Sequence, residues 1–205
     1  CAACVMEPSS HGLTLGRLRG ASYDVPVFTN LNPEHLDFHK EMEDYFQAKR
    51  LLFTRYAKPG FLGAANGDDP YGRRLLEEAP EHLRGFSMAA EDTFARVSQW
   101  STSLRGTEMR VEMRGMSPLD LTSPLSGEFN VWNILCAVTA LRGRVSDEAI
   151  VHGVALTPQV PGRLERYVLS NGACCFVDFA HTPAALESLL TTVRALTKGR
   201  VVSVF

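Results

Sequence analysis

Tyr23-Asp24-Val25-Pro26-Val27-Phe28-Thr29-Asn30-Leu31-Asn32-Pro33 holds the change of pattern that decides the fold class. Residues 23–29 read as a strand. Asn32-Pro33 then predicts a helix start, because Asn caps well and Pro takes the first helical position, where its missing N–H costs nothing. The same grammar returns at Phe61–Ala64, a strand, and at Asp69-Pro70, which predicts a helix running to Ala79. Upstream, Cys1–Met6 reads as a buried strand followed by the polar run Ser9-Ser10-His11-Gly12. Strand followed by helix, repeated, predicts a parallel α/β sheet.

Further along, the pattern changes. Residues 83–125 carry short alternating segments, Phe94–Thr102 and Thr107–Met113 among them, broken by Gly and Pro, and predict an antiparallel excursion. Helical periodicity returns over Val131–Leu141, closed by Gly143, and a short helix is expected from Asp147. Thr157-Pro158-Gln159-Val160-Pro161-Gly162 reads as a linker. Two strands follow, Leu164–Leu169 and Ala173–Val177, then a helix capped by Thr182-Pro183 with Leu186, Leu189, Leu190, Val193 and Leu196 on one face, and a last strand. One domain is therefore expected over 1–157 and the start of a second over 158–205.

Composition narrows the function classes. The chain has 205 residues, 45% of them hydrophobic, and a formal net charge of −2. That balance argues against a nucleic-acid coat or a polybasic membrane patch. No apolar run approaches the roughly 18 residues of a spanning helix, so a soluble chain is expected. The cysteines (1, 4, 136, 174 and 175) form no sensible disulfide framework and read as buried cytosolic thiols. Gly-x-x-x-x-Gly-Lys-Ser/Thr, Gly-x-Ser-x-Gly and His-Glu-x-x-His do not occur. Both ends lie in apolar, strand-like runs, Cys1–Met6 and Arg200–Phe205, as expected of a segment of a longer protein.

A few residues stand out chemically. Phe38, Met42, Tyr45, Lys49, Leu52 and Tyr56 share one helix face if the helix runs unbroken, and only Lys49 among them is charged. Burial lowers a lysine toward its neutral amine, the form that adds carbon dioxide to give an anionic, metal-ligating carbamate. The alternative is a lysine that reaches past its neighbours to water. His35 falls in the expected first turn, where the helix dipole favours a neutral, ligating imidazole, against a solvated surface role. Glu7 and Asp178 each end an apolar run, at the carboxyl edge where open α/β sheets bind ligands, and His181 precedes a helix N-terminus. Each also reads as an ordinary surface residue.

In order along the chain, six motifs resemble the Mur ligase family. They are Met6-Glu7-Pro8-Ser9-Ser10-His11-Gly12-Leu13, Phe28-Thr29-Asn30-Leu31-Asn32-Pro33-Glu34-His35-Leu36-Asp37-Phe38-His39, Ala48-Lys49-Arg50-Leu51-Leu52-Phe53, Gly127-Glu128-Phe129-Asn130-Val131-Trp132-Asn133, Gly162-Arg163-Leu164-Glu165-Arg166 and Val177-Asp178-Phe179-Ala180-His181-Thr182-Pro183. The resemblance runs nearly end to end. It is strongest to the MurE type, which adds the third peptide residue of the peptidoglycan precursor.

That resemblance implies a P-loop-type central domain, here without its P-loop, and the beginning of a Rossmann-like C-terminal domain. It implies ATP and Mg²⁺ as cofactors, UDP-N-acetylmuramoyl-L-alanyl-D-glutamate and a diamino acid as substrates, and a cytoplasmic setting. By resemblance Lys49 is the carbamylated lysine, its carbamate positioning a second Mg²⁺ or the transferring phosphate, and Glu7 and His35 ligate Mg²⁺. Ser9 and Arg17 hold the substrate, although Leu15 stands where the family has glutamine and Pro8 where it has valine. Asn130 and Asn133 face the adenine, Arg163 the γ-phosphate, and Asp178 the ribose, with His181 near the nucleotide. The implied chemistry is an acyl phosphate followed by amine attack. Diaminopimelate and L-lysine both remain open as the added residue, and the chain alone is expected to be inactive. The rival readings are another amide ligase of the superfamily (the cyanophycin synthetase or folylpolyglutamate synthase type), a binding module without catalysis, and, last, a carbamyl-lysine metallohydrolase.

Overall fold

The local rules produce most of the expected elements. Asp69 caps its helix by accepting the backbone N–H groups of Tyr71 (2.9 Å) and Gly72 (3.0 Å) on Oδ1, with Pro70 in the first turn. Thr182 does the same for Ala185 ahead of Pro183. The computed structural model describes residues 3–34 and 36–204.

Two compact units divide the chain, Cys1–Arg96 and Val97–Phe205. The first contains α1 (Ser10–Thr14), β1 (Val27–Phe28), α2 (Leu36–His39), α3 (Met42–Thr54), β2 (Gly63–Asn66), α4 (Pro70–Glu78) and β3 (Leu83–Ser87), and ends in the first residues of β4 (Ala95–Ser103). β1, β2, β3 and β4 pair in that order, all parallel, with Ala64 opposite Val27 and Arg84, and Phe86 opposite Ala95. Its core gathers Leu13, Phe28, Phe46, Leu52, Phe53 and Tyr56, all buried.

The second unit continues β4 and adds β5 (Gly106–Met113), β6 (Leu119–Ser123), α5 (Glu128–Leu141), α6 (Asp147–Ala155), β7 (Glu165–Val168), β8 (Cys174–Val177) and α7 (Pro183–Leu196). β5 and β6 pair antiparallel, and their period-two pattern buries Met109, Val111, Leu119 and Leu121 while Glu108, Asp120 and Thr122 face outward. Val131, Leu135 and Val138 of α5 are buried at 0–1% exposure. β7 and β8 form a separate antiparallel pair. The result is mixed α/β: a mostly parallel sheet with an antiparallel extension and a two-stranded sheet.

Five expectations are corrected. The helix expected to open at Asn32-Pro33 is broken: Lys40 adopts φ 60° and Glu41 an extended conformation, so α2 ends before α3 begins. Phe38 therefore sits on a different helix from the rest of the stripe. Residues 3–9 form no strand, and Val5 is fully exposed. An apolar run becomes a strand only where a neighbour completes its ladder, and no described strand pairs with it. Residues 201–204 likewise have no strand. Within 83–125, β3 and the start of β4 are parallel, so the antiparallel part is confined to the later strands. Of the cysteines, Cys136 alone among the described ones is buried, and burial pushes its thiol up to about 12. Among the described residues, no helix is long and apolar enough to cross a membrane.

Candidate functional site

The expected site residues fall in both units. In the first, Lys49 lies on α3, one turn beyond Tyr45, its ammonium 5.7 Å from the centre of the Tyr45 ring. Burial lowers its pKa from the ordinary lysine value, and the negative charges of Glu7 and Glu34 pull part of the way back. Glu7 thus acts electrostatically on Lys49, while its own side chain is exposed. His35 lies outside the described residues.

Ser9 is the N-cap of α1: its hydroxyl accepts the Gly12 N–H at 3.1 Å. Arg17 is exposed just beyond that helix. Reading the sequence missed the neighbouring pair. Ser10, 1% exposed, shares a 2.9 Å hydrogen bond with Nε2 of His39, itself 5% exposed. The His39 ring stacks on Tyr45 with centroids 5.0 Å apart and planes 17° from parallel. Burial raises the Tyr45 phenol, and the negative charge of Glu34, also missed, adds to it. The only signal available for Ser10, His39 and Glu34 was their place inside the motifs that hold Ser9 and His35.

The residues suit a hard cation in part. Glu7 offers carboxylate oxygens of the kind Mg²⁺ prefers. Lys49 as an ammonium would repel the ion, whereas as a carbamate it would add a second oxygen donor, and the burial that lowers its pKa favours the reactive amine. Among the described residues, no group of three or more His, Cys, Asp or Glu could hold a metal alone.

In the second unit, α5 begins after Gly127, which holds φ 99°. Asn130, 8% exposed in its first turn, donates to the Ser126 carbonyl at 2.8 Å and accepts from the Asn133 amide at 3.3 Å. The two asparagines are thus already linked, with the exposed Asn133 outermost. Asn130, Ser126, Gln159, Arg163, Leu164 and Arg166 line a narrow cleft whose free volume, about 10 Å³, is that of about one water. The two arginines on its wall favour an anion there.

Asp178 fixes the turn beside that cleft. Its Oδ2 accepts the Leu164 N–H at 2.7 Å and its Oδ1 the Ala180 N–H at 2.8 Å. His181 places Nδ1 2.8 Å from the Phe179 carbonyl oxygen. A carbonyl can only accept, so Nδ1 carries the proton and a neutral ring leaves Nε2 as an exposed acceptor. Asn130, Arg163 and Asp178 are therefore gathered around one turn, Asn130 and Arg163 across the cleft and Asp178 through Leu164.

Residues 1–141 match the family model described as the Mur ligase middle domain. The chain belongs to the Mur ligase family. Of the curated relatives of this Mur ligase chain, the UDP-N-acetylmuramoyl-L-alanyl-D-glutamate--2,6-diaminopimelate ligase of Streptomyces avermitilis is 42% identical over 201 residues, 97% of this chain and 39% of the relative. The ligase of the same name from Geobacter sulfurreducens is 42% identical over 210 residues, 99% of this chain and 41% of the relative. A solved structure of a UDP-N-acetylmuramoyl-L-alanyl-D-glutamate--2,6-diaminopimelate ligase superposes with a TM-score of 0.74 at 29% identity, covering 91% of this chain and 38% of that one. The Mur ligase chain thus spans about two fifths of the length of the relatives it matches.

Proposed function

We propose that this chain is part of an ATP-dependent amide ligase that adds a diamino acid to UDP-N-acetylmuramoyl-L-alanyl-D-glutamate. The observation that carries the reading is the 42% identity, over 97% of the chain, to a ligase named for that reaction. The same name favours diaminopimelate over L-lysine as the added residue. The work would take place in the cytoplasm, where the nucleotide-linked precursor and ATP are found together.

A carboxylate is a poor electrophile, so the reaction needs activation. The substrate carboxylate oxygen attacks the γ-phosphorus of ATP, ADP leaves, and an acyl phosphate forms. The neutral amine of the diamino acid then adds to the acyl carbon, its nitrogen gives up a proton to solvent, and the tetrahedral intermediate collapses by expelling phosphate. Such chemistry depends on positioning and charge neutralisation more than on covalent catalysis. When bound, Mg²⁺ supplies charge neutralisation at the phosphates.

The chain's own residues would divide the rest. Lys49, once its amine has added carbon dioxide and lost a proton, presents an anionic carbamate from a partly dry position; Glu7 and His35 complete the oxygen and nitrogen donors. Ser9, with its hydroxyl fixed by the Gly12 N–H, and Arg17 face the substrate. Arg163 meets the γ-phosphate with a guanidinium matched to phosphate oxygens. Asn130 retains one amide hydrogen beyond its bond to Ser126, and it and Asn133 orient the adenine. Asp178 keeps lone pairs beyond its two backbone bonds for ribose hydroxyls, and the free Nε2 of His181 faces the nucleotide.

The test is isotopic. With ¹⁸O in the glutamyl carboxylates of the substrate, an acyl phosphate carries one ¹⁸O into the released phosphate. Product formed without label in the phosphate would contradict the mechanism.

A further inference from the structure

Ser10 and His39 form a nearly sealed polar pair, 1% and 5% exposed, that the proposed chemistry leaves unused. Both belong to the first unit. Their hydrogen bond, 2.9 Å from Oγ to Nε2, joins α1 to the end of α2. A buried polar pair is costly unless satisfied, and here each is the other's partner. The imidazole is also wedged among rings: Tyr45 lies flat against it at 5.0 Å, while Phe38 and His11 meet it edge-on at 4.8 and 5.5 Å.

The far end of this series is Lys49. Tyr45 precedes Lys49 by one helical turn, and its ring forms the floor beneath the ammonium at 5.7 Å. Four side chains thus follow one another: Ser10 orients His39, His39 seats Tyr45, and Tyr45 carries Lys49. The break between α2 and α3 belongs to the same device. Lys40 holds φ 60°, a conformation that costs a non-glycine residue, and the break allows His39 to reach Ser10.

We propose that His39, locked by Ser10, is the positioning residue of the Lys49 side chain, acting through the Tyr45 ring. It couples α1, whose cap is Ser9, to the lysine on α3, so that the substrate-side turn and the lysine hold a fixed geometry. This inference rests on the proposed ligase for its consequence in catalysis, but the seating of Tyr45 stands apart from that reading.

The experiment uses the complete gene product with ¹³C-labelled tyrosine and compares it with Ser10→Ala and His39→Gln. Ser10→Ala removes the bond with little change of volume; His39→Gln keeps an amide for Ser10 but removes the stacked ring. In the unmodified protein the Tyr45 ring should flip slowly enough to show separate edges. In each folded variant that signal should average, and kcat should fall by about tenfold with KM for ATP within about twofold, as expected for misplacement without lost binding. An unchanged Tyr45 signal in a folded variant overturns the inference. So does an unchanged kcat in an active enzyme whose ring has been released. If Ser10→Ala does not fold, His39→Gln is read by the same criteria. An unmodified gene product with no ligase activity would refute the proposed function instead, and the Tyr45 signal would still decide the seating of the ring.

Discussion

The Asp178 carboxylate accepts the backbone N–H of Leu164 at 2.7 Å while Leu164 holds φ 47°, a left-handed conformation rare for a branched side chain. Leu164 is 5% exposed, so packing and the carboxylate together hold the turn that presents Arg163 and Leu164 to the cleft. The strain is offset locally by a charged hydrogen bond, and the second oxygen is committed to Ala180.

Asp178→Ala should therefore destabilise the second unit by about 2 kcal/mol, the scale of losing a hydrogen bond to a charged acceptor. Urea unfolding followed by a probe in that unit would measure it. A loss below about 0.5 kcal/mol would mean that packing alone holds the turn.

Lys49 gives a pH prediction with a definite sign. Its folded-state pKa lies below the ordinary 10.5, chiefly through burial, so the folded state binds fewer protons there than the unfolded chain. Stability should rise with pH from the lowered folded value up to 10.5, where the unfolded chain has also lost its proton. Compared in carbon-dioxide-free buffer, the parent and Lys49→Met should converge across that window as the cost of the buried charge disappears. A constant gap would contradict the burial argument.

Glu43 gives the same sign for the opposite reason: the fold favours its charged form, whereas burial disfavours that of Lys49. Arg74 grips its carboxylate with two hydrogen bonds, of 2.7 and 3.0 Å, and Gln47 adds a third, so its pKa is held down at about 2. Its stabilising contribution is complete above the ordinary 4.5 and is lost as pH falls through about 2. Both partners are exposed, so solvent screening keeps the effect small. Glu43→Gln should flatten that part of the acid-unfolding curve, and added salt should flatten the parent's.

Gly72 is a packing prediction. A Cβ there would overlap the Asn66 carbonyl oxygen, where the first turn of α4 meets the end of β2. Gly72→Ala should cost about 3 kcal/mol, the upper end for overpacking against backbone, despite alanine's better helix propensity. Calorimetric melting would show a clear drop in Tm.

Local chemistry made much of the fold legible. Asp69-Pro70 and Thr182-Pro183 begin helices where their caps predict, because a cap is satisfied by N–H groups two or three residues away. Asn32-Pro33 has the same look, yet the described helix begins at Leu36. The Leu31 N–H nearby is held instead by Asp69, 38 residues away, at 3.1 Å, a tertiary contact that local rules cannot foresee. The stripe from Tyr45 to Leu52 survives as one face of α3, whereas Phe38 is lost from it at the break. The site shows the same divide. Lys49 announced itself as a charge on an apolar face. Ser10 and His39, separated by 29 residues, are recognisable as a pair only after folding. Among the described residues of the two ends, 3–9 and 201–204, the expected strands are absent, because strand pairing depends on a neighbour as well as on an apolar run.

The most direct test of the central claim measures phosphate release by the complete gene product. It would be supplied with ATP, Mg²⁺ and UDP-N-acetylmuramoyl-L-alanyl-D-glutamate, and given diaminopimelate, L-lysine or no amino acid. Release that depends on diaminopimelate, with the tripeptide product formed in equal amount, is the predicted result. Release with neither amino acid, from a folded protein that binds ATP, would contradict the proposed ligase.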